Sequence, residues 1–379
     1  MSSVVFSPED RLSHRPAFLL VGLGVPARLA IVCGVLAIAL AGALVFGAAT
    51  GPTSIPARDV ADALLHYAGV DRGVDTASAT YRIVTIVRLP GLMVAALVGA
   101  ALACAGATMQ GLFRNPLADP GIIGVSAGAS FGVVLAMTQL AALTDLWAFD
   151  SGPLAGALWR VPAAAFAGAM LAALIVYALS LQRGRTNLAA LLLTGVALNS
   201  VLGAITSLLL LRSADASAVR SVLSWLVGSL EGRGWDYFHV VKWPILASAG
   251  LIVIYSRELN LLALGEEDAQ SLGVHVARTR LILLALASLM TAAAVSIAGA
   301  IAFVGLIVPH MLRLVIGPDH RILLPASLIG GAAFLVLADG VARTVIAPEL
   351  LPVGTVTALA GGPFFLLLLW RHRRQIGVF

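Results

Sequence analysis

Charge is scarce in this sequence. Only 11% of its 379 residues are charged, against about 25% in a soluble domain. Lysine is nearly absent, with Lys242 standing alone at the edge of an apolar run, and no G-x-x-x-x-G-K-[ST] phosphate loop occurs. These gaps leave no site for nucleotide hydrolysis on this chain. Cysteine is limited to Cys33 and Cys104, each inside an apolar run, where a thiol packs as a small hydrophobe and no disulfide framework arises. The histidines, His14, His66, His239, His275, His310, His320 and His372, are scattered and do not gather into the cluster a membrane-bound enzyme needs. The net charge of +5 is dispersed between apolar runs, which disfavours a nucleic-acid surface.

What remains is apolar: 60% of residues are hydrophobic. A bilayer core requires about 20 apolar residues per helix. Runs of this kind lie at 29–49, 89–110, 121–141, 161–181, 188–211, 238–256, 279–301, 303–317, 322–347 and 350–370. They are apolar throughout rather than alternating, which predicts an all-α integral membrane protein of about ten helices and not a β-barrel. The 38 glycines suit close helix approach in lipid. Arg371, Arg373 and Arg374 place the C-terminus in the cytoplasm by the positive-inside rule. With an even number of spans, residues 1–28 form a cytoplasmic N-terminal segment, 29–371 the membrane domain and 372–379 a cytoplasmic tail. The first apolar piece, broken by Pro26 and Arg28, does not read as a cleaved signal.

Two outer segments carry structure. In 50–87, Ser54 is expected to cap a short helix with Pro56 in its first turn. In 212–234, Val219, Val222, Leu223 and Leu226 recur at helical spacing and predict a short helix at the outer mouth. Helical rhythm breaks at 114–130 and 302–321. Interrupted backbone at membrane depth must be packed in protein or line a cavity, and paired breaks point to transport. Their positions suggest two inverted-topology halves. An ion-coupled carrier needs an ionisable group deep in a span. Here Asp339 and Arg343 are spaced to pair on one helix face, and His310 follows Pro309, so neither reads as a proton relay.

The most distinctive stretch is "LALGEEDAQSLGV" (262–274). Gly265 and Gly273 bracket two turns of helix whose first turn holds Glu266, Glu267 and Asp268, complementing the helix dipole. Leu262, Ala269, Leu272 and Val276 fall near one side, so 257–280 reads as a cytoplasmic elbow with an apolar stripe and a charged face. An acidic loop that merely solubilises a turn is the alternative, but it has no need of a stripe or two glycine stops.

Long motifs in order, "VRLPG" (87–91), "MQGLFRNPLADPGIIGVSAGAS" (109–130), "NLLALGEEDAQSLGV" (260–274), "AGAIAFVGLIVPHMLRLVIGPDHRILLPASLIGGA" (298–332), "ADGVAR" (338–343) and "ELLPVGTVTALAGGPFF" (349–365), make residues 80–371 resemble the FecCD-type permeases of ATP-driven importers for ferric siderophores, haem and cobalamin. The resemblance implies a type II ABC importer. Its expected parts are a homodimer of ten-helix subunits in the bacterial cytoplasmic membrane, two cytoplasmic ATPases that bind ATP-Mg, and a soluble binding protein. No cofactor or metal is expected on this chain. It further implies that Leu262, Leu264, Gly265, Glu266, Glu267, Asp268, Ala269, Leu272 and Gly273 dock on the ATPase, with Leu262, Ala269 and Leu272 entering its groove. Arg88 and Arg343 would grip acidic residues of the binding protein. Family members commonly read R-L-P-R where this chain has Gly91, and Arg82 is a substitute. Thr194, Gly195, Leu198 and Asn199 mark the span whose family counterpart lines the gate, although helix packing explains Gly195 almost as well. The expected cargo is haem or a ferric siderophore, with cobalamin open.

Overall fold

The computed structural model describes residues 23–51, 53–139, 159–182, 185–213, 215–346 and 349–376. Arg11, Arg15, His14, Arg183 and the last residues of the tail lie outside them, as do the side chains of Arg371, Arg373 and Arg374. The elements are α1 (Val25–Ala49), α2 (Ala57–Tyr67), α3 (Ala79–Phe113), α4 (Val125–Val134), α5 (Arg160–Ser180), β1 (Leu181–Gln182), β2 (Arg185–Thr186), α6 (Leu188–Arg212), α7 (Ala216–Val227), α8 (Trp235–Ile254), α9 (Ser256–Leu264), α10 (Glu266–Ser271), α11 (Val276–Ala298), α12 (Val304–Ile316), α13 (His320–Val345) and α14 (Val353–Ile376). The strands form one antiparallel two-residue ladder and the rest is helical. Seven helices, α1, α3, α5, α6, α8, α11 and α13, are long and apolar enough to cross a membrane. The runs at 121–141, 303–317 and 350–370 hold shorter apolar helices.

Helix α3 is the core of the bundle, packed against α13, α11, α12 and α8, while α1 packs mainly on α13 and touches α3 at its C-terminal end. Small residues permit this. A Cβ on Gly99 would overlap the Gly331 carbonyl of α13, and one on Gly106 the Gly305 carbonyl of α12. Such contacts replace the hydrophobic drive that lipid cannot supply. Helices α4 and α5 pair likewise through Gly128 and Gly168.

Both interruptions are present. Between α3 and α4, Arg114 turns the chain at φ 49° and Asp119 caps a 3-10 turn, Pro120–Ile123, by accepting from the Gly121 N–H at 2.8 Å. Before α12, Gly299 and Phe303 take φ of 74° and 69°. Within α12, Pro309 has no N–H to offer the Gly305 carbonyl one turn back. Gln110 of α3 supplies the donor instead, its Nε2 lying 3.3 Å from Gly305 O and 3.2 Å from Leu306 O.

The helices expected outside the spans form, with changed ends. Pro56 is the N-cap of α2 rather than a first-turn residue, and no side chain caps that end, so Ser54 does not. Asp215 caps α7, accepting from the Ser217 and Ala218 N–H groups, and the Ser217 hydroxyl, first among these bonds, holds its carboxyl below the usual carboxylate range.

Candidate functional site

Two faces of the bundle carry the candidate residues, separated by the length of α8, about 30 Å for 20 residues at 1.5 Å each. One is the elbow. Gly265, at φ 146°, ends α9 and starts α10, and the three acids fill the first turn of α10. Gly273, at φ 88°, closes it: Val274 N–H donates to Ala269 O at 2.9 Å and Gly273 N–H to Gln270 O at 3.0 Å, the paired bonds of a Schellman stop.

The stripe is corrected by its packing. Leu262 and Ala269 are 3% and 0% exposed, buried against their own chain together with Val276, so they are not available to a partner groove. Leu264 and Leu272 are 65% and 60% exposed and stand out instead, beside exposed Glu267 and Asp268. The seven-residue spacing holds for Leu262, Ala269 and Val276, but the side they share faces the protein's own core, and only Leu272, the C-cap of α10, leaves it.

Glu266, with 43% of its side chain still exposed, reaches back to the core, its Oε1 lying 2.5 Å from the guanidinium of buried Arg280 on α11. Asn260 of α9 binds the neighbouring corner: its Nδ2 donates to Asp319 Oδ1 at 2.7 Å, and its Oδ1 accepts from the His320 N–H at 2.9 Å. Asp319 caps α13 and pairs with Arg321 at 2.7 Å. Burial alone would raise the Asp319 carboxyl, but hydrogen bonds from Arg321 and Asn260 and the Arg321 charge outweigh it and hold it at about 2. The elbow is thus fastened to α11 through Glu266 and to α13 through Asn260. A cavity of about 460 Å³ opens beside it, lined by Thr186, Asn187, Glu266, Gln270, Ala277 and Arg280.

The opposite face collects arginines. Arg88 is buried, its guanidinium donating to Ala48 O at 2.5 Å and to Thr53 O, which ties the end of α1 to α3. Its guanidinium is therefore already engaged within the chain. Arg343 pairs with Asp339 at 2.5 Å, as their four-residue spacing implied, and keeps 19% of its side chain exposed. Gly91 lies against it, since a Cβ there would sit 3.6 Å from an Arg343 nitrogen. Arg82 is exposed at the start of α3.

The four residues on α6 divide. Gly195 meets the Ile122 carbonyl so closely that a Cβ would overlap it, Asn199 Nδ2 reaches Gly121 O at 3.5 Å, and Leu198 packs near Gly124. These three hold the 3-10 turn against α6. Thr194 is half-buried, and Leu193, Val196, Leu208 and Leu211 on the same helix are exposed.

Sequence reading missed Gln110, Asn260 and Arg280. Gln110 had a signal: a Gln inside an apolar span needs a buried partner, and Pro309 leaves one carbonyl free. The other two had none, because their partners lie 59 and 14 residues away.

Comparison with known proteins bears on these faces. A model of the FecCD transport family matches residues 35–371. The chain is 49% identical over 287 residues to the cobalamin import system permease protein BtuC of Halobacterium salinarum, covering 76% of this chain and 73% of that protein. It is 43% identical over 300 residues to the hemin transport system permease protein HmuU of Yersinia pestis, covering 79% and 86%. A solved structure of an ABC transporter in an inward-facing conformation superposes with a TM-score of 0.74 at 30% identity, over 89% of this chain and 98% of that one.

Proposed function

The chain belongs to the FecCD transport family, and on that premise we propose that it is the membrane-spanning permease subunit of an importer for a metal chelate. Two copies enclose one path across the cytoplasmic membrane, with the elbow and both termini on the cytoplasmic side. A delivery protein docks on the arginine face, and ATP-Mg is hydrolysed on two partner ATPases that seat against the elbow. Haem and ferric siderophores are the expected cargo, with cobalamin as the second reading, favoured by the name of the Halobacterium relative.

One observation carries the mechanism: the elbow presents Leu264, Leu272, Glu267 and Asp268 outward while its inner side is bonded to two core helices. The outward groups fit an apolar slot edged by basic residues on the ATPase. The 460 Å³ cavity beside Arg280 can take one protruding ATPase side chain. Movement of the ATPases then passes through Glu266 to α11 and through Asn260 to α13. Both helices pack on α3, so the shift reaches the far mouth as a rigid-body displacement. The path follows α6, with Thr194 beside it and Gly195, Leu198 and Asn199 keeping the 3-10 turn in register. At the mouth, Arg343 and Arg82 meet acidic groups of the delivery protein, and Arg88 fixes the α1–α3 corner that presents them. Each exposed pair is worth about 0–1 kcal/mol, so docking rests on several contacts from both copies.

Charge reversal tests the elbow. Glu267→Lys with Asp268→Lys should abolish ATPase co-purification and substrate-stimulated hydrolysis while lowering the thermal unfolding midpoint of the permease only slightly, because both side chains are exposed and only their complement to the α10 dipole is lost. Undiminished coupling in that variant refutes the docking role.

A further inference from the structure

Lys242 is the only lysine in the chain, and it stands on α8, a helix long and apolar enough to cross a membrane. Seven residues separate it from Trp235 at the helix start, about 10 Å at 1.5 Å each. A cation at that depth is costly unless it reaches water, a counter-charge or the headgroups. Side chains on a helix lean toward its N-terminus, and Lys242 does so. Its Nζ lies 3.1 Å from His239 Nδ1, one turn back, and 5.9 Å from the centroid of the Phe238 ring. The Trp243 ring is also close, its centroid 5.1 Å from Nζ.

An ammonium has only protons to give, so His239 Nδ1 is the acceptor. The neutral imidazole then carries its proton on Nε2, a second donor beside the ammonium. His239 is exposed, and its ring is held by Trp235, stacked at 6.0 Å, and by Phe238, edge-on at 5.7 Å. Of the three ammonium protons one goes to His239, which leaves two for an oxyanion. No carboxylate pairs with Lys242 among the described residues. Toward the elbow the same face of α8 is apolar and open. Trp243, Leu246 and Ile254 are 68%, 53% and 71% exposed, and nothing lies within 4 Å of a Cβ added to Gly250. Steps of three and four residues keep 239, 243, 246, 250 and 254 on one side of the helix.

This face therefore offers an uncompensated cation and a further donor at one end, set among the aromatic rings that favour a membrane–water interface, and below them an apolar strip about 16 Å long. Those are the polarity and the dimensions of a phospholipid, with its phosphate above and an acyl chain beneath. We propose that this face of α8 is a binding site for an anionic phospholipid. Lys242 and His239 Nε2 donate to the phosphate, and Trp243, Leu246 and Ile254 lie along an acyl chain. Charge complementarity sets the preference: phosphatidylglycerol brings the counter-charge that Lys242 lacks, whereas the quaternary ammonium of phosphatidylcholine repels it. Only the assignment to the outer leaflet rests on the importer reading.

The test uses the full-length permease, titrated with dioleoyl phosphatidylglycerol and with dioleoyl phosphatidylcholine and read by native mass spectrometry. Wild type should prefer the anionic lipid about fivefold, as one lysine beside an anionic headgroup implies. Lys242→Gln should lose the preference and Lys242→Arg should keep it. His239→Phe, which retains the ring contacts, should lose part of it. The readout is a ratio within each variant, so a stability change common to both lipids cancels. Equal binding of the two lipids by wild type, or an unaltered preference in Lys242→Gln, overturns the site. So does the same loss in Arg58→Gln, which removes an exposed charge from α2 and would make net charge the cause. Inorganic phosphate in millimolar excess should not displace the lipid, since it has no chain for the apolar strip. Displacement means a free-phosphate site and overturns the lipid as occupant. Trp243→Cys should give no crosslink between copies in membranes, and a crosslink would assign this face to a second copy instead. A chain that assembles with no ATPase sinks the importer reading, whereas the lipid titration of the permease alone still decides the site.

Discussion

Helices α3 and α6 have the same hydropathy, but 83% of the most apolar stretch of α3 is buried within the chain and only 11% of that of α6. Composition explains the difference. On α3, Gly99 and Gly106 let two other backbones come into contact, whereas α6 turns Leu193, Val196, Leu208 and Leu211 outward and its Gly203 meets nothing. In lipid, apolarity alone does not draw helices together. Small residues at matched positions mark the rigid centre, and large ones mark a surface left for lipid or a second copy of the chain.

The sharpest way to break that contrast is Gly106→Val. The new side chain would overlap the backbone of Gly305, which cannot move aside without displacing α12. A loss of about 3 kcal/mol or more is expected, read as failure to recover monodisperse protein. Normal yield and thermal stability would show that the close contact is not what holds the centre together.

Gln110→Leu probes the same contact more gently. It keeps the bulk but leaves the Gly305 carbonyl, already deprived of a donor by Pro309, without a partner. A cost of about 1–3 kcal/mol is expected, seen as a lower unfolding midpoint. An unchanged midpoint would mean that the carbonyl finds water or another donor. The smallest effect belongs to α6. Gly203→Ala should be neutral or stabilise by up to about 1 kcal/mol, because nothing in the chain lies within 4 Å of the added methyl. Weakened dimerisation in that variant, measured by crosslinking in membranes, would assign this face to the partner copy rather than to lipid.

Much of this was legible beforehand. Apolar runs located the helices, and Gly, Pro and Asn-Pro signals located both interruptions, because backbone chemistry fixes them locally. The elbow was legible for the same reason: Gly265 and Gly273 adopt positive φ on either side of one short acidic helix. Facing was harder to read. Leu262 and Leu264 are two residues apart on α9, which turns them about 200° from each other, so one is buried and the other exposed, and tertiary contact decides which side faces the core. Arg88 shows the same limit. Its motif announces a cation, but the carbonyls of Ala48 and Thr53 that engage it lie 40 and 35 residues earlier.

The account stands on this chain forming a passive path moved by ATPases seated at the elbow. Chelate uptake into proteoliposomes tests it directly, with permease alone, with ATPase added, and with ATPase, delivery protein and ATP together. The account predicts accumulation only in the last condition. Uphill accumulation by the permease alone on a proton or sodium gradient would contradict it.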